Sequence, residues 1–147
     1  MTVYYEDLKV GQIIEYGQHT TDKDEMVAFA RQWDPRPFHI DEEFAKSTFY
    51  GSLTASGIHT LAMFTRVCNQ GTADMAARGA FGYEKVRFLA PVKPGDTLDG
   101  RSEITQMRLS KSRPGLGIVT SYESLTNQRG ELVLDFTVSY LIEVRPG

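Results

Sequence analysis

The stretch LTASGIHTLAMFTRVCNQG, residues Leu53 to Gly71, decides how the rest of the chain has to fold. It is apolar or small nearly all round, and Arg66 carries its one formal charge. A helix without a polar face is normally buried on most sides, so other elements must wrap it. Its first turns hold Thr54, Ala55, Ser56 and Gly57, small side chains that let another backbone or a ligand come close. Gly71 is placed to cap its C-terminus.

Strands follow this helix. Ala80 to Leu89, Leu98 to Leu109, Leu116 to Thr126 and Glu131 to Val144 have strand length and β-branched or aromatic content. The last carries Leu132, Leu134, Phe136, Val138 and Tyr140 on one alternating face. Pro94-Gly95, the loop Ser110 to Gly117 and the hairpin turn Asn127 to Gly130 separate them, which predicts antiparallel pairing. Upstream, an entry segment turns at Gly11 and leads into a strand over Ile13 to His19. A helix then starts at Asp22, an N-cap, with Glu25 completing a capping box. Met26, Val27, Phe29, Ala30 and Trp33 give it one buried face, and Asp34-Pro35 stops it. Asp41 to Lys46 is a short helical turn. One apolar helix and about five strands are most economically arranged as a strongly curved antiparallel sheet wrapped round the helix, an α+β fold. Such a sheet leaves an edge strand open, and dimerisation is the common answer.

The 147 residues suit a single domain spanning 1–147. A formal net charge of −3 offers no basic excess for nucleic acid or an anionic membrane. Arg101, Arg108, Lys111 and Arg113 form a local basic cluster, either a solvated strand edge and turn or a docking patch for a phosphorylated ligand. No run approaches the ~20 apolar residues of a membrane helix. The start, MTVYYEDLKVGQ, lacks a signal-peptide pattern. Cys68 is the single cysteine and sits in an apolar run, where it reads as a small core residue. A cytoplasmic protein is the expectation.

Two constellations are able to carry chemistry. In WDPRPFHIDEEFAKS, Trp33 to Ser47, Pro35 and Pro37 fix two φ angles between Asp34 and His39. A loop pinned this way presents a carboxylate and an imidazole in one relation, a usable acid/base pair near neutral pH. In FYGSLTASG, Phe49 to Gly57, a glycine and small polar residues precede the helix, whose first N–H groups lack intrahelical partners and carry the positive end of its dipole. Charge developing on an oxygen would be stabilised there. Taken singly, each has a commoner use. Asp34 as a cap, His39 bonded to a carbonyl, Gly51 as a turn glycine and Ser56 as a packing residue would account for them. Only one short turn of chain joins the two, so they are able to line one cleft. His19 and His59 rank lower, and no zinc-ligand spacing, phosphate loop or G-x-S-x-G elbow is present.

DPRPFHIDEEFAKS followed by GSLTASGIHT resembles the MaoC-like dehydratases, relatives of the (R)-specific enoyl-CoA hydratases. The hydratase motif D-x-N-P-hydrophobic-H stands here as Asp34-Pro35-Arg36-Pro37-Phe38-His39, with Arg36 in place of asparagine. This version is closer to MaoC-like subgroups that carry D-P-x-P-F-H. Gly51, Ala55 and Ser56 match the glycine and small-residue stretch, and Phe88 to Leu98 the segment after the helix. The resemblance covers nearly the whole chain. It implies a hot-dog fold and a homodimer or a dimer of dimers. It implies a hydratase or dehydratase, a carbon–oxygen lyase of fatty acid metabolism, acting at the double bond of an acyl-CoA-type thioester. Asp34 and His39 would be the catalytic dyad, Gly51 the oxyanion donor and Ser56 a supporting or thioester contact. Arg36 would face solvent or read an anionic group of the substrate. The implied chemistry needs no metal and no cofactor, since coenzyme A or an acyl carrier enters as part of the substrate. An acyl-CoA thioesterase and a non-catalytic acyl-CoA-binding module are the alternatives on the same fold, and Arg36 keeps the second alive.

Overall fold

A computed structural model describes residues 1–147. After a 3-10 turn at Tyr5–Asp7, the elements run β1 (Ile13–Thr20), α1 (Lys23–Trp33), α2 (Pro37–Ile40), α3 (Glu42–Lys46) and α4 (Gly57–Gly71). Then come β2 (Ala77–Phe88), β3 (Thr97–Leu109), β4 (Leu116–Thr126) and β5 (Leu132–Glu143). The strands form one sheet in the order β1-β3-β4-β5-β2, every pair antiparallel.

The alternation of β3, β4 and β5 decides which face meets the helix. Gly100, Ser102 and Ile104 of β3 register with Leu125, Glu123 and Ser121 of β4, which register in turn with Leu134, Phe136 and Val138 of β5. This inner face receives Met63, Phe64 and Val67 of α4, together with Tyr16 of β1, as one buried apolar cluster. A second cluster continues the same face, where Leu8 and Ala76 cover Ile104, Val119 and Ile142. The expected α+β arrangement, a hot-dog fold, is the observed one. No helix is long and apolar enough to cross a membrane.

Several boundaries differ from expectation, each for a local reason. The long helix begins at Gly57, not Leu53, because Ala55 donates its N–H to the Val92 carbonyl and holds Leu53–Ser56 extended. It is buried along one side only within the chain: Ile58 is 55% exposed. Gly71 does not cap the helix by left-handed geometry. It is the last helical residue, and a Cβ there would lie 2.5 Å from the Tyr16 backbone, so the glycine exists for close approach to β1. Asp22 accepts the Glu25 N–H as expected, but the Glu25 side chain turns to His59 and His19 instead of closing a capping box. Trp33 lies off the buried face at 62% exposure. β2 starts three residues earlier than expected, and its register with β5 shifts repeatedly. Gly79 and Gly82 take positive φ in it, as does Lys85 at 54°. β2 is an edge strand, and Phe81, Tyr83 and Phe88 on it are exposed.

One polar group sits in the middle of the inner face. Glu123 is 2% exposed and accepts hydrogen bonds from Tyr16 Oη, Ser102 Oγ and Ser121 Oγ. Burial raises its carboxyl above the ordinary range, against the opposing effect of those hydroxyls.

Two measurements test this packing. Gly71→Ala should destabilise the chain by about 1–3 kcal/mol in urea unfolding, the usual penalty of overpacking. A neutral result would mean that α4 has room to move off β1. For Glu123 the sign follows from linkage. The folded chain holds its proton more tightly than the unfolded chain, so wild-type stability falls as pH rises above the ordinary glutamate value of about 4.3. Glu123→Gln should therefore gain stability relative to wild type as pH rises above about 4.3. A difference that does not change with pH would contradict the burial of an ionisable group.

Candidate active site

The C-terminal end of α1 delivers Asp34. Its N–H still bonds the Ala30 carbonyl, but its φ of −156° and ψ of 70° leave helical geometry, as a residue before proline must. Pro37 then opens α2 at its first position, where a missing N–H is harmless, and the turn seats His39. Arg36 donates its backbone N–H to the Asp34 carbonyl, and His39 donates its own to the Arg36 carbonyl. Asp34 and His39 are therefore held by a chain of short-range backbone bonds.

The side chains meet. His39 Nε2 lies 3.6 Å from Asp34 Oδ2. That is too far for a direct hydrogen bond, and near enough for one water oxygen to touch both. His39 is 8% exposed, and its Nδ1 stands 2.7 Å from the Thr54 carbonyl oxygen. A carbonyl only accepts, so Nδ1 carries the proton in the neutral ring and Nε2 presents its lone pair toward Asp34. Asp34 has a second anchor, since Ser56 Oγ donates to the same Oδ2 at 2.7 Å. Both anchors come from the extended segment Leu53–Ser56. The unexpectedly late start of α4 is thus what supplies the Thr54 carbonyl and the Ser56 hydroxyl to the dyad.

Ser56 is also the N-cap residue of α4, yet its side chain makes no capping bond, being committed to Asp34. The N–H groups of Gly57, Ile58 and His59 head the helix at its positive end. His39 and Gly57 line one cleft of about 290 Å³ with Phe38, Tyr50, Thr54 and Phe88. Asp34 lies just outside that lining, in reach through Nε2 of His39. A Cβ on Gly57 would approach the Phe88 ring to 2.9 Å, so glycine keeps this wall thin.

The other expected residues divide. Gly51 does not head the helix. It lies in the loop before it with φ of 71°, and its N–H is spent on the Thr48 carbonyl. The glycine that heads the helix and lines the cleft is Gly57, a correction that follows from the helix boundary. The sequence did hold a signal for it, because serine at 56 is a preferred N-cap residue. Arg36 is exposed and makes no ion pair with any carboxylate. His59 is buried, stacked on Phe29 with centroids 4.4 Å apart, and lies 3.6 Å from Glu25 Oε1. Burial lowers its pKa in spite of Glu25. Arg101 pairs with Glu15 across β1 and β3, which takes it out of the basic cluster.

Comparison with known proteins gives one family match and three relatives. A family described as the MaoC like domain matches residues 8–126. The solved structure of a MaoC-like dehydratase from Rhodospirillum rubrum superposes with a TM-score of 0.91 at 35% identity, covering 99% of each chain. Among curated proteins, a 3-hydroxybutyryl-CoA dehydratase of Methylorubrum extorquens is 28% identical over 81% of this chain and 74% of its own length. An (R)-specific enoyl-CoA hydratase of Rhodospirillum rubrum is 21% identical over 97% and 93%.

The tautomer is directly testable. Long-range nitrogen–proton NMR should find neutral His39 protonated at Nδ1. A ring protonated at Nε2 would show that the Thr54 carbonyl does not hold it.

Proposed function

The chain belongs to the MaoC-like domain family, and on that premise we propose that it adds or removes water at the double bond of a 2-enoyl thioester of coenzyme A or an acyl carrier. The observation that carries this reading is the pairing of His39 Nε2 with Asp34 Oδ2 at 3.6 Å, beside the start of α4. The names of the dehydratase and hydratase relatives support it.

In the hydration direction one water bridges Asp34 Oδ2 and His39 Nε2. Nε2 takes a proton from this water as its oxygen bonds to the β-carbon. The electron pair of the double bond moves toward the thioester oxygen. That oxygen gains negative charge, and the Gly57 N–H at the dipole's positive end stabilises it. The imidazolium, held by Asp34 on one side and Thr54 on the other, then returns a proton to the α-carbon. Hydroxyl and hydrogen are both delivered, and the dyad ends as it began. Dehydration is the reverse. Ser56 fixes Asp34 and keeps one carboxylate oxygen aimed at the ring.

The rest of the reading concerns assembly and recognition. The chain acts as one domain and as a homodimer, in which a second copy covers the edge strand β2 and its exposed Phe81, Tyr83 and Phe88. Arg36 keeps its guanidinium free for an anionic group of the substrate or its carrier.

Mass-spectrometric screening of a 2-enoyl-CoA panel should find a product heavier by one water. Asp34→Asn and His39→Ala should each lower kcat/KM by about 10²–10⁴ while the protein stays folded by circular dichroism. Activity within a few-fold of wild type in both variants would sink the dyad. Release of free thiol without hydration would favour a thioesterase, and tight acyl-CoA binding with no turnover a binding module.

A further inference from the structure

A second cavity, of about 270 Å³, lies between the C-terminal half of α4 and the inner face of the sheet. Phe64, Thr65, Cys68 and Asn69 of α4 form one wall, and Phe136, Val138 and Tyr140 of β5 another. Bulged β2 closes the third side with Ala77, Gly79 and Ala80, residues too small to fill it. The first cleft uses Gly57 and Thr60 of α4 and Phe88 of β2, whereas this one uses Phe64 to Thr72 and Ala77 to Tyr83. The two therefore succeed one another along α4. At about 1.5 Å per helical residue, Phe64 stands about 10 Å along α4 from Gly57. Its volume is at the low end of ligand pockets, roughly 300–1,000 Å³, which suits a short group.

Most of the lining is apolar, and Glu123 is its single charged residue. The hydrogen-bond inventory of that carboxylate is incomplete. Oε1 accepts from both Ser102 and Ser121, while Oε2 accepts from Tyr16 alone. A carboxylate has about four acceptor positions, so one on Oε2 stays open. The Tyr140 hydroxyl, also in the lining, has no partner in the chain. An open acceptor and an unpartnered donor in an otherwise apolar cavity match one small group, a hydroxyl, which is both donor and acceptor and needs no counter-charge. A carboxylate would meet Glu123 with no cation to compensate it. A plain alkyl chain would cover both polar groups and satisfy neither, which is unfavourable.

We propose that this cavity receives the far end of the substrate's acyl chain, and that Glu123 and Tyr140 select chains bearing a hydroxyl there. The proposal rests on the thioester reading above but requires only binding. Saturated acyl-CoAs from butyryl to decanoyl, each plain, hydroxylated at the remote carbon, or ending there in a carboxylate, should be titrated calorimetrically. At the best-fitting length the hydroxylated chain should bind about tenfold tighter than the plain one, the value of about one buried hydrogen bond, and the carboxylated chain weakest. Tyr140→Phe, which keeps the shape, should shrink the hydroxyl preference to about twofold or less, the share of a single lost bond. Glu123→Gln should relax the discrimination against the carboxylated chain. Plain chains binding equally well or better at every length, or a preference untouched by Tyr140→Phe, would overturn the proposal. So would no binding by any member. If Glu123→Gln does not fold, Tyr140→Phe decides alone. Hydration of 2-enoyl-CoA is read separately: its loss with the hydroxyl preference intact condemns the catalytic reading only, and the converse condemns this one only.

Discussion

The seating of α4 on the inner face of the sheet is the contact from which the other features derive. It depends on close approach at two glycines. A Cβ on Gly71 would run into the Tyr16 backbone, and one on Gly100 would lie 2.8 Å from Val67 Cγ1. With the helix pressed this close, Val67, Leu98, Leu125 and Leu134 lose all contact with water. At roughly 25 cal/mol per Å² of apolar surface, each such side chain contributes about 1.5–3 kcal/mol. The helix then lies along the strands with its N-terminus at the β2–β5 end that carries Phe88, and its C-terminus against β1. The position of the helix tip, and so of the Gly57 N–H, is a consequence of that packing.

The dyad is assembled on this base with few residues of its own. Asp34 caps the end of α1 and His39 lies in α2, yet both side chains are oriented by Leu53–Ser56, the extended stretch leading into α4. The Thr54 carbonyl sets the tautomer of His39, and the Ser56 hydroxyl orients Asp34. That stretch is in turn held by the Ala55–Val92 backbone bond, which ties it to the segment following β2. Ser56 gives up the capping bond that its position invites. The unsatisfied N–H groups at the helix start are then free for another oxygen, so a local structural shortfall and the proposed chemistry have the same origin.

The inner face also tolerates polar groups that a purely structural core would exclude. Glu123 is buried without a cation, and Tyr16, Ser102 and Ser121 surround it. On the opposite face of the sheet Asp135 is equally inaccessible, but it is matched by the Arg87 guanidinium and the Tyr122 hydroxyl, and its carboxyl stays below the ordinary range. The contrast is physical. Arg87 lies at the edge strand and keeps contact with water, so it is able to pair with Asp135 from outside. Nothing cationic reaches Glu123 beneath the helix.

Much of this was legible in the residues alone. The apolar run ending at Gly71 required a sheet around it, and period-two alternation in β5 assigned the inner face. The prolines flanking Arg36 brought Asp34 and His39 together. These are local matters, in which spacing and side-chain chemistry act over a few residues. What the sequence could not determine depended on partners distant in the chain. Whether Leu53–Ser56 was helical depended on a carbonyl at Val92. Whether Gly51 or Gly57 headed the helix followed from that boundary. Gly71 serves packing because Tyr16 happens to lie against it. The second cavity is walled on one side by the small residues Ala77, Gly79 and Ala80, and no pattern within β2 announces the gap they leave beneath α4. Periodicity reports which face of an element is buried, and only the tertiary structure decides what it is buried against and where a gap remains.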